Sequence, residues 1–458
     1  MAVGAFDSFI TRSWFDSAAL DIWSDTSTLQ AWLDVEAGLA EAEAQLGLVP
    51  SECARAIKDN AKAELFDLAC LDRDIRHAQH PFVPVLKQFE VLCGEPAAGF
   101  IHLGATTQNI FDTAVSLQMR RTHDLILDTL DKAIARLRAL AGAHATTLQA
   151  GRTHGQHALP MTFGFKVAGW VDELERGRAR LAERFDGSFV ASLGGAIGTG
   201  AALDGMGRDV EARLAQVLGL KPAGLAIRSS YDRVADYVSS LGVLIGGLER
   251  VAQDIVFLQR TEIGEVREAF HHGKVGSSTM AQKRNPSTCL RIVSLCRLVR
   301  ARMPLCLEGL VRMDEGDSSS TNVTDVTLPE IAILAASAVA GLAAVSDGLV
   351  VDGAAMERNL AITGGLINSE AIMMRLAPRI GRHAAHHLLY EAAQGALSEG
   401  RAFSMVLQER AGEIGITGDE MRQLMDPSGY VGDSVKIARR TANGDETSHV
   451  TNPNNDPP

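Results

Sequence analysis

The 458-residue chain is poor in aromatic residues, which make up only 5% of it. Strands favour aromatic and β-branched side chains, so this scarcity argues against an all-β sandwich. Positive charge is also short: 44 Lys and Arg face 56 Asp and Glu, giving a net charge of −12. So acidic a chain is a poor polyanion binder, and nucleic acid is excluded as an expected partner. Cys53, Cys70, Cys93, Cys289, Cys296 and Cys306 stand apart, and none forms a Cys-x-x-Cys pair. The pattern reads as reduced thiols of a cytoplasmic protein, not as a disulfide framework. The N-terminal MAVGAFDSFITRSWFD lacks the basic and apolar regions of a signal peptide. The most apolar stretch runs from Ile331 to Val345 and stops at Ser346-Asp347. It is shorter than the roughly 20 residues of a membrane span, so it reads as a buried core helix and no membrane partner is expected.

What the chain does have is helical periodicity. Hydrophobic residues make up 46% and charged residues 22%, an ordinary balance for a globular protein with a sizeable core. From Val234, the apolar positions Val238, Leu241, Ile245, Leu248, Ala252 and Ile255 follow in steps of three and four. Leu127, Leu130, Ile134 and Leu137 repeat the pattern, as do Phe163, Val167, Trp170 and Leu174. Several long helices with apolar stripes predict an all-α bundle. Val243, Leu244, Val251 and Val256 suggest a second apolar seam, and hence packing between subunits. Shorter helices are expected before about residue 100, broken at Gly47, Pro50, Pro81, Pro84 and Gly94. Gly364-Gly365 marks a boundary before a C-terminal helical module, and the polar tail after Arg440 reads as disordered.

Three segments carry chemistry. Gly104-Ala105-Thr106-Thr107-Gln108-Asn109, preceded by His102, offers hydroxyl and amide donors at a helix N-terminus, a good carboxylate site. Its plainer reading is a cap, with Thr107 or Asn109 as N-cap. Gly151-Arg152-Thr153-His154-Gly155-Gln156-His157 places two histidines at the start of a helix. Histidine passes protons near neutral pH. Without nearby Cys or Glu ligands the pair makes a weak zinc site, so no metal is expected. The third segment, Gly276-Ser277-Ser278-Thr279-Met280-Ala281-Gln282-Lys283-Arg284-Asn285-Pro286, combines glycine and serines with a cation and an amide two residues apart. Such a loop can close over an anionic substrate and bring a serine to a reacting carbon. The alternative is an exposed turn bearing a solvated Lys-Arg pair.

The run GSSTMAQKRNP resembles the signature of the fumarase/aspartase superfamily, and GRTH and GATTQN resemble its other two active-site segments. The similarity runs from about Phe15 to Arg440, and GQHALPMTFGFKVAGW, LGGAIGTGAAL and QRTEIGEV resemble most the carboxymuconate cycloisomerase and adenylosuccinate lyase branch. The resemblance implies an all-α, three-domain subunit: 1–105 N-terminal, 106–360 the central bundle, 361–440 C-terminal, with 441–458 as the tail. It further implies a homotetramer with a 20-helix core, each active site drawing its segments from three subunits. The reaction implied is a cofactor-free anti-elimination on a small dicarboxylate that releases fumarate. By position Ser277 matches the base and His154 the general acid. Lys283 and Asn285 match the carboxylate-holding residues, and Thr106, Thr107, Gln108, Thr153, Gln156 and Ser278 fall in substrate-binding segments. Ser278 is also the alternative base.

Two positions depart from the pattern. Where the family usually has the Glu that pairs with the acid histidine, this chain has Leu290, so nothing at that position can orient or charge His154. Where the adenylosuccinate branch has a phosphate-binding Arg shortly before a Leu-Pro pair, this chain has Asp325, which repels phosphate. The expected enzyme is therefore a lyase whose leaving group needs little protonation. Nitrite is such a group, making nitrosuccinate a candidate substrate. A carboxymuconate-type cycloisomerase and an adenylosuccinate lyase are the enzymatic alternatives, and a crystallin-like structural protein is the non-enzymatic one.

Overall fold

A computed structural model of the chain describes residues 6–270, 278–410 and 415–444. Among them are 17 α-helices and three two-stranded ladders, with no closed sheet. The fold class is all-α, as the helical periods predict. The longest helices span Thr107–Ala143, Phe163–Ser188, Asp232–Leu258, Ser287–Glu308 and Ser318–Gly348. Their apolar stripes explain their burial: Val238, Leu241, Ile245, Leu248, Ala252 and Ile255 are all buried, as are Phe163, Val167, Trp170 and Leu174. The indole of Trp170 donates to Asp254 Oδ2 at 2.8 Å, so the one polar atom of this buried side chain is satisfied.

The chain divides into two compact units. The first comprises Met1–Leu130, Gly177–Leu248 and Arg291–Ala340. Its N-terminal helices break where expected: Asp25–Gln45 ends just before Gly47, Ser51–Asn60 follows Pro50, and Val83–Cys93 starts at Phe82-Val83-Pro84 and stops at Gly94. Their apolar faces share one core that includes Leu33, Leu39, Ile57, Phe82 and Phe89. Of the second seam, Leu244 and Val251 are buried within the chain, whereas Val243 is 59% exposed.

The second unit comprises Asp131–Arg176, Glu249–Leu290 and Gly341–Pro458. Past Gly364 and Gly365, both at positive φ, its C-terminal helices close on a separate apolar cluster around Ile372, Leu389, Phe403 and Leu407. The last helix, Ser434–Asn443, runs three residues further than the predicted start of the tail. Thr441 is buried in it, and Gly444 ends it in the left-handed conformation that suits a C-cap. Residues 445–458 of the expected tail lie outside the described residues.

The apolar run read as too short for a membrane is part of the 31-residue helix Ser318–Gly348. By length and composition that helix would suffice to cross a bilayer, but 67% of its most apolar window is buried inside the protein. It is a core helix.

Candidate active site

The Thr106 segment lies in the first unit. The long helix starts at Thr107, so Thr106, and not Thr107 or Asn109, is the residue immediately before it. Asn109 serves the cap from inside: its Oδ1 accepts the Thr106 N–H and the Gly195 N–H, each at 3.1 Å. This is the back half of a capping box, and it ties the helix start to a neighbouring loop. Gly104 is required here. Its φ is +67°, and a Cβ would lie 2.5 Å from Leu203 Cδ2. His102 also has a left-handed backbone, and buried Glu36 holds it, accepting from the His102 N–H at 3.0 Å and meeting its Nδ1 at 2.6 Å. Gln108 is turned along the helix, donating to Asp112 Oδ1 at 2.7 Å.

That bond leads to a cavity of about 590 Å³, which sequence reasoning missed. Its lining includes Asp112, Arg228, Tyr231, Arg312, Thr324 and Asp325. Arg312 donates from Nη1 to Arg228 O at 3.0 Å, and its guanidinium lies 4.4 Å from the Tyr231 ring centroid. Arg228 donates from Nη1 to Ala196 O at 2.9 Å, while its buried Nε has no partner. Burial raises the Asp112 carboxyl, opposed by its bond from Gln108 and by the charges of Arg312 and Arg228. Solvent reaches Asp325 through the cavity, yet desolvation and the Asp112 charge push its carboxyl up to about 6, with Arg312 opposing. The one signal in the sequence was Asp325 itself, read only as a missing phosphate ligand.

The His154 segment, in the second unit, is not the start of a helix. It is an antiparallel hairpin, Leu148–Thr153 against Gln156–Thr162, with His154-Gly155 as its two-residue turn. Both turn residues have positive φ, 53° and 76°, the pattern of a type I′ hairpin turn. Histidine tolerates this conformation better than most side chains, but at a cost. The turn leaves Thr153, His154 and Gln156 exposed, with Thr153 and Gln156 paired across the ladder. The other histidine, His157, is partly buried. Its pKa is lowered by burial first and by the Arg152 cation second, Glu265 opposing, so it favours the neutral imidazole.

Below the turn the hairpin is braced. Arg152 forks onto the buried carboxylate of Glu265, Nη2 to Oε1 at 2.5 Å and Nη1 to Oε2 at 3.1 Å. Gln149 and Asn359 donate to the same carboxylate at 2.6 and 2.7 Å.

Of the third segment, Ser277, the expected base, lies outside the described residues. Ser278 and Lys283 are exposed and Asn285 half-buried, with the Lys283 N–H turned back to Met280 O at 3.1 Å. Leu290, where the histidine's partner was expected, is 47% exposed. The structure thus places the Thr106, Thr107 and Gln108 group in one unit. Thr153, His154, Gln156, Ser278, Lys283 and Asn285 fall in the other.

Comparison with known proteins shows the family. A lyase family model matches residues 15–300, and a model of the adenylosuccinate lyase C-terminus matches 365–441. An N-acetyl-S-(2-succino)cysteine lyase of Enterococcus italicus is 36% identical over 84% of this chain and 84% of its own. A 3-carboxy-cis,cis-muconate cycloisomerase of Pseudomonas aeruginosa is likewise 36% identical, over 84% of each chain. Among solved structures, a fumarate lyase from Mesorhizobium sp. BNC1 superimposes with a TM-score of 0.87 at 32% identity, covering 94% of this chain and 98% of that one.

Proposed function

This chain belongs to the fumarase/aspartase superfamily of lyases, and we propose that it eliminates a sulfur-linked leaving group from a 2-substituted succinate to release fumarate. The observation that carries the leaving-group assignment is the cavity beside Gln108. At about 590 Å³ it is far larger than nitrite needs. Its three arginines and three aspartates suit a leaving group with polar atoms of both characters, as an amino-acid-like thiol has. Asp325 among them disfavours the phosphate of a nucleotide.

The chemistry fits Leu290. A thiol has a pKa near 8.5, so a thiolate departs with little help from an acid. His154 then has only to donate a hydrogen bond to the substrate. Ser277 takes the proton next to a carboxylate, and the electron pair passes onto that carboxylate as an aci-carboxylate. Its return forms the carbon–carbon double bond as the C–S bond breaks and the thiolate leaves. Lys283, Asn285 and the backbone N–H groups of the loop stabilise the charge that builds on the carboxylate. Thr106, Thr107, Gln108, Thr153, Gln156 and Ser278 hold the dicarboxylate. A serine serves as base only where such positive surroundings lower its pKa. The site acts in a homotetramer, which light scattering at micromolar concentration checks directly.

The test is ultraviolet detection of fumarate with a panel: S-succinyl thiols, nitrosuccinate, adenylosuccinate and carboxymuconate. Turnover of the S-succinyl thiols above the rest is expected. Preference for nitrosuccinate restores the small leaving group. Lactonisation of carboxymuconate establishes the cycloisomerase reading, which Leu290 favours and His154 opposes, because such enzymes do without the Glu and typically without the histidine. No turnover of any member defeats the enzyme reading.

A further inference from the structure

The stretch Gln259 to Glu268 is not one of the three signature segments, yet it grips both of those that lie in the second unit. Building on the function proposed above, we propose that Glu265 and Glu268 are positioning residues, Glu265 for the His154 turn and Glu268 for the Lys283–Asn285 segment.

Glu265 is fully buried, and both its oxygens are used. Oε1 takes Arg152 and Asn359, and Oε2 takes Arg152 and Gln149. Its backbone is tied as well: Glu265 N–H donates to Leu258 O, and Glu265 O accepts from Asp352, each at 2.9 Å. A buried ion pair adds little net stability over apolar packing, because desolvation offsets the attraction. Its value lies in fixing geometry. Here the ladder needs a fixed point. Its pairing skips Gly151, between Ala150 and Arg152, so the strand is interrupted two residues before a turn held at positive φ. Arg152 is the residue between that break and Thr153-His154, and Glu265 anchors it from both oxygens.

Glu268 does the equivalent for the other segment. Its Oε1 accepts the Cys289 N–H at 2.7 Å and its Oε2 the Thr288 N–H at 3.2 Å, at the first turn of the Ser287–Glu308 helix. A carboxylate is favoured there by the helix dipole as well as by the N–H groups of the first turn. Gln259 completes the clamp. Its Oε1 accepts the Glu268 N–H at 2.9 Å, and its Nε2 donates to Arg284 O at 3.0 Å. Asn285 is thereby held on both sides, at Arg284 and at Thr288-Cys289. One short stretch therefore sets the pose of the His154 turn and, separately, of a carboxylate-binding segment.

Double-mutant cycles separate this from general support of the fold. Glu265→Gln should raise KM about fivefold and lower kcat about threefold in the wild type, but change each less than twofold in a His154→Gln background, because coupled residues are not additive. Glu268→Gln should raise KM about tenfold with kcat nearly unchanged, and lose most of that effect in an Asn285→Ala background. Additive losses in the matched pairs overturn the proposal, as does a Glu265→Gln effect confined to kcat. If Glu265→Gln fails to fold, Asn359→Ala takes its place in the cycle, since it removes one donor to Glu265 from outside both segments. Hydrogen exchange supplies a readout that needs no turnover. Glu265→Gln should speed exchange in residues 148–162 alone, and Glu268→Gln in residues 283–290 alone. Equal acceleration of both segments in either variant overturns the proposal even if no substrate is found. A wild type that lacks activity but shows the separate exchange pattern defeats only the reaction proposed above.

Discussion

Both oxygens of Glu265, beneath the His154 hairpin, have donors, whereas in the cavity beside Gln108 the Nε of Arg228 has no partner among the described residues and the Asp112 charge raises the proton affinity of Asp325. The two regions use charge for different ends. A buried carboxylate with donors on both oxygens fixes one arrangement, because losing a donor leaves an oxygen short of a partner in a medium of low dielectric constant. Charges that face a solvent-reached cavity keep part of their hydrogen-bonding capacity for a ligand. On the function proposed, the hairpin supplies placement and the cavity supplies selectivity.

Four experiments break or sharpen that contrast. The largest effect is expected outside both regions. Ser277→Ala should remove turnover by about a thousandfold or more while fold and assembly persist, since loss of a base removes a transition-state interaction. Retention of more than about a tenth of the wild-type rate would hand the role to Ser278.

The next concerns a group that belongs to neither region. Glu43 is fully buried in the N-terminal core, neither carboxyl oxygen has a partner among the described residues, and burial followed by the Glu36 charge pushes its pKa up to about 8. Its folded pKa lies above the unfolded value, so this group's contribution to stability is fully present at acid pH. It is lost as pH rises from the unfolded value of 4.5 to about 8. Glu43→Gln should therefore match the wild type at pH 4 and gain stability toward pH 9, at up to about 1.4 kcal/mol per pH unit across that window. Denaturant unfolding at several pH values checks it. Equal stability at all pH values would show that the carboxyl is satisfied.

His154→Gln tests the turn. A donated hydrogen bond, and no more, predicts a kcat loss of about tenfold with a larger rise in KM. A loss of about a thousandfold in kcat at unchanged KM would make His154 an essential acid and call for a leaving group poorer than a thiolate. Leu290→Glu is the complement, and should help poor leaving groups such as ammonia.

The smallest effect is expected in the cavity. With Asp325 raised to about 6, its charge appears as pH passes that value. KM for the preferred substrate should then shift a few-fold between pH 5 and 7, and Asp325→Asn should flatten the profile. A profile unchanged by the substitution would show that the leaving group does not meet Asp325.

Much of this molecule was legible in advance. The steps of three and four from Val238 to Ile255 are buried as a stripe because a helix brings such positions to one face. Gly47, Pro50 and Gly94 punctuate the N-terminal helices through backbone geometry that depends on neighbours only. The hairpin was harder to read. Gln149-Ala150-Gly151-Arg152 is short and carries no clear alternation, and His-Gly is an uncommon turn pair where Asn-Gly would have declared itself. The final helix outran its predicted end because a tertiary contact, the burial of Thr441, outweighed the polar character of the local sequence.

By itself, then, the amino-acid order determined what local rules control: the helical class, the breaks between helices, and the three segments whose residue types identify the lyase family. Only the tertiary structure decided the outward turn at His154, the two glutamates that brace its unit, and the cavity beside Gln108. The cavity residues Asp112, Arg228, Arg312 and Asp325 are far apart along the chain. A charge is informative about ligands only once its neighbours are known, because the same carboxylate is a solvated surface group alone and a selective one beside a second acid and an arginine.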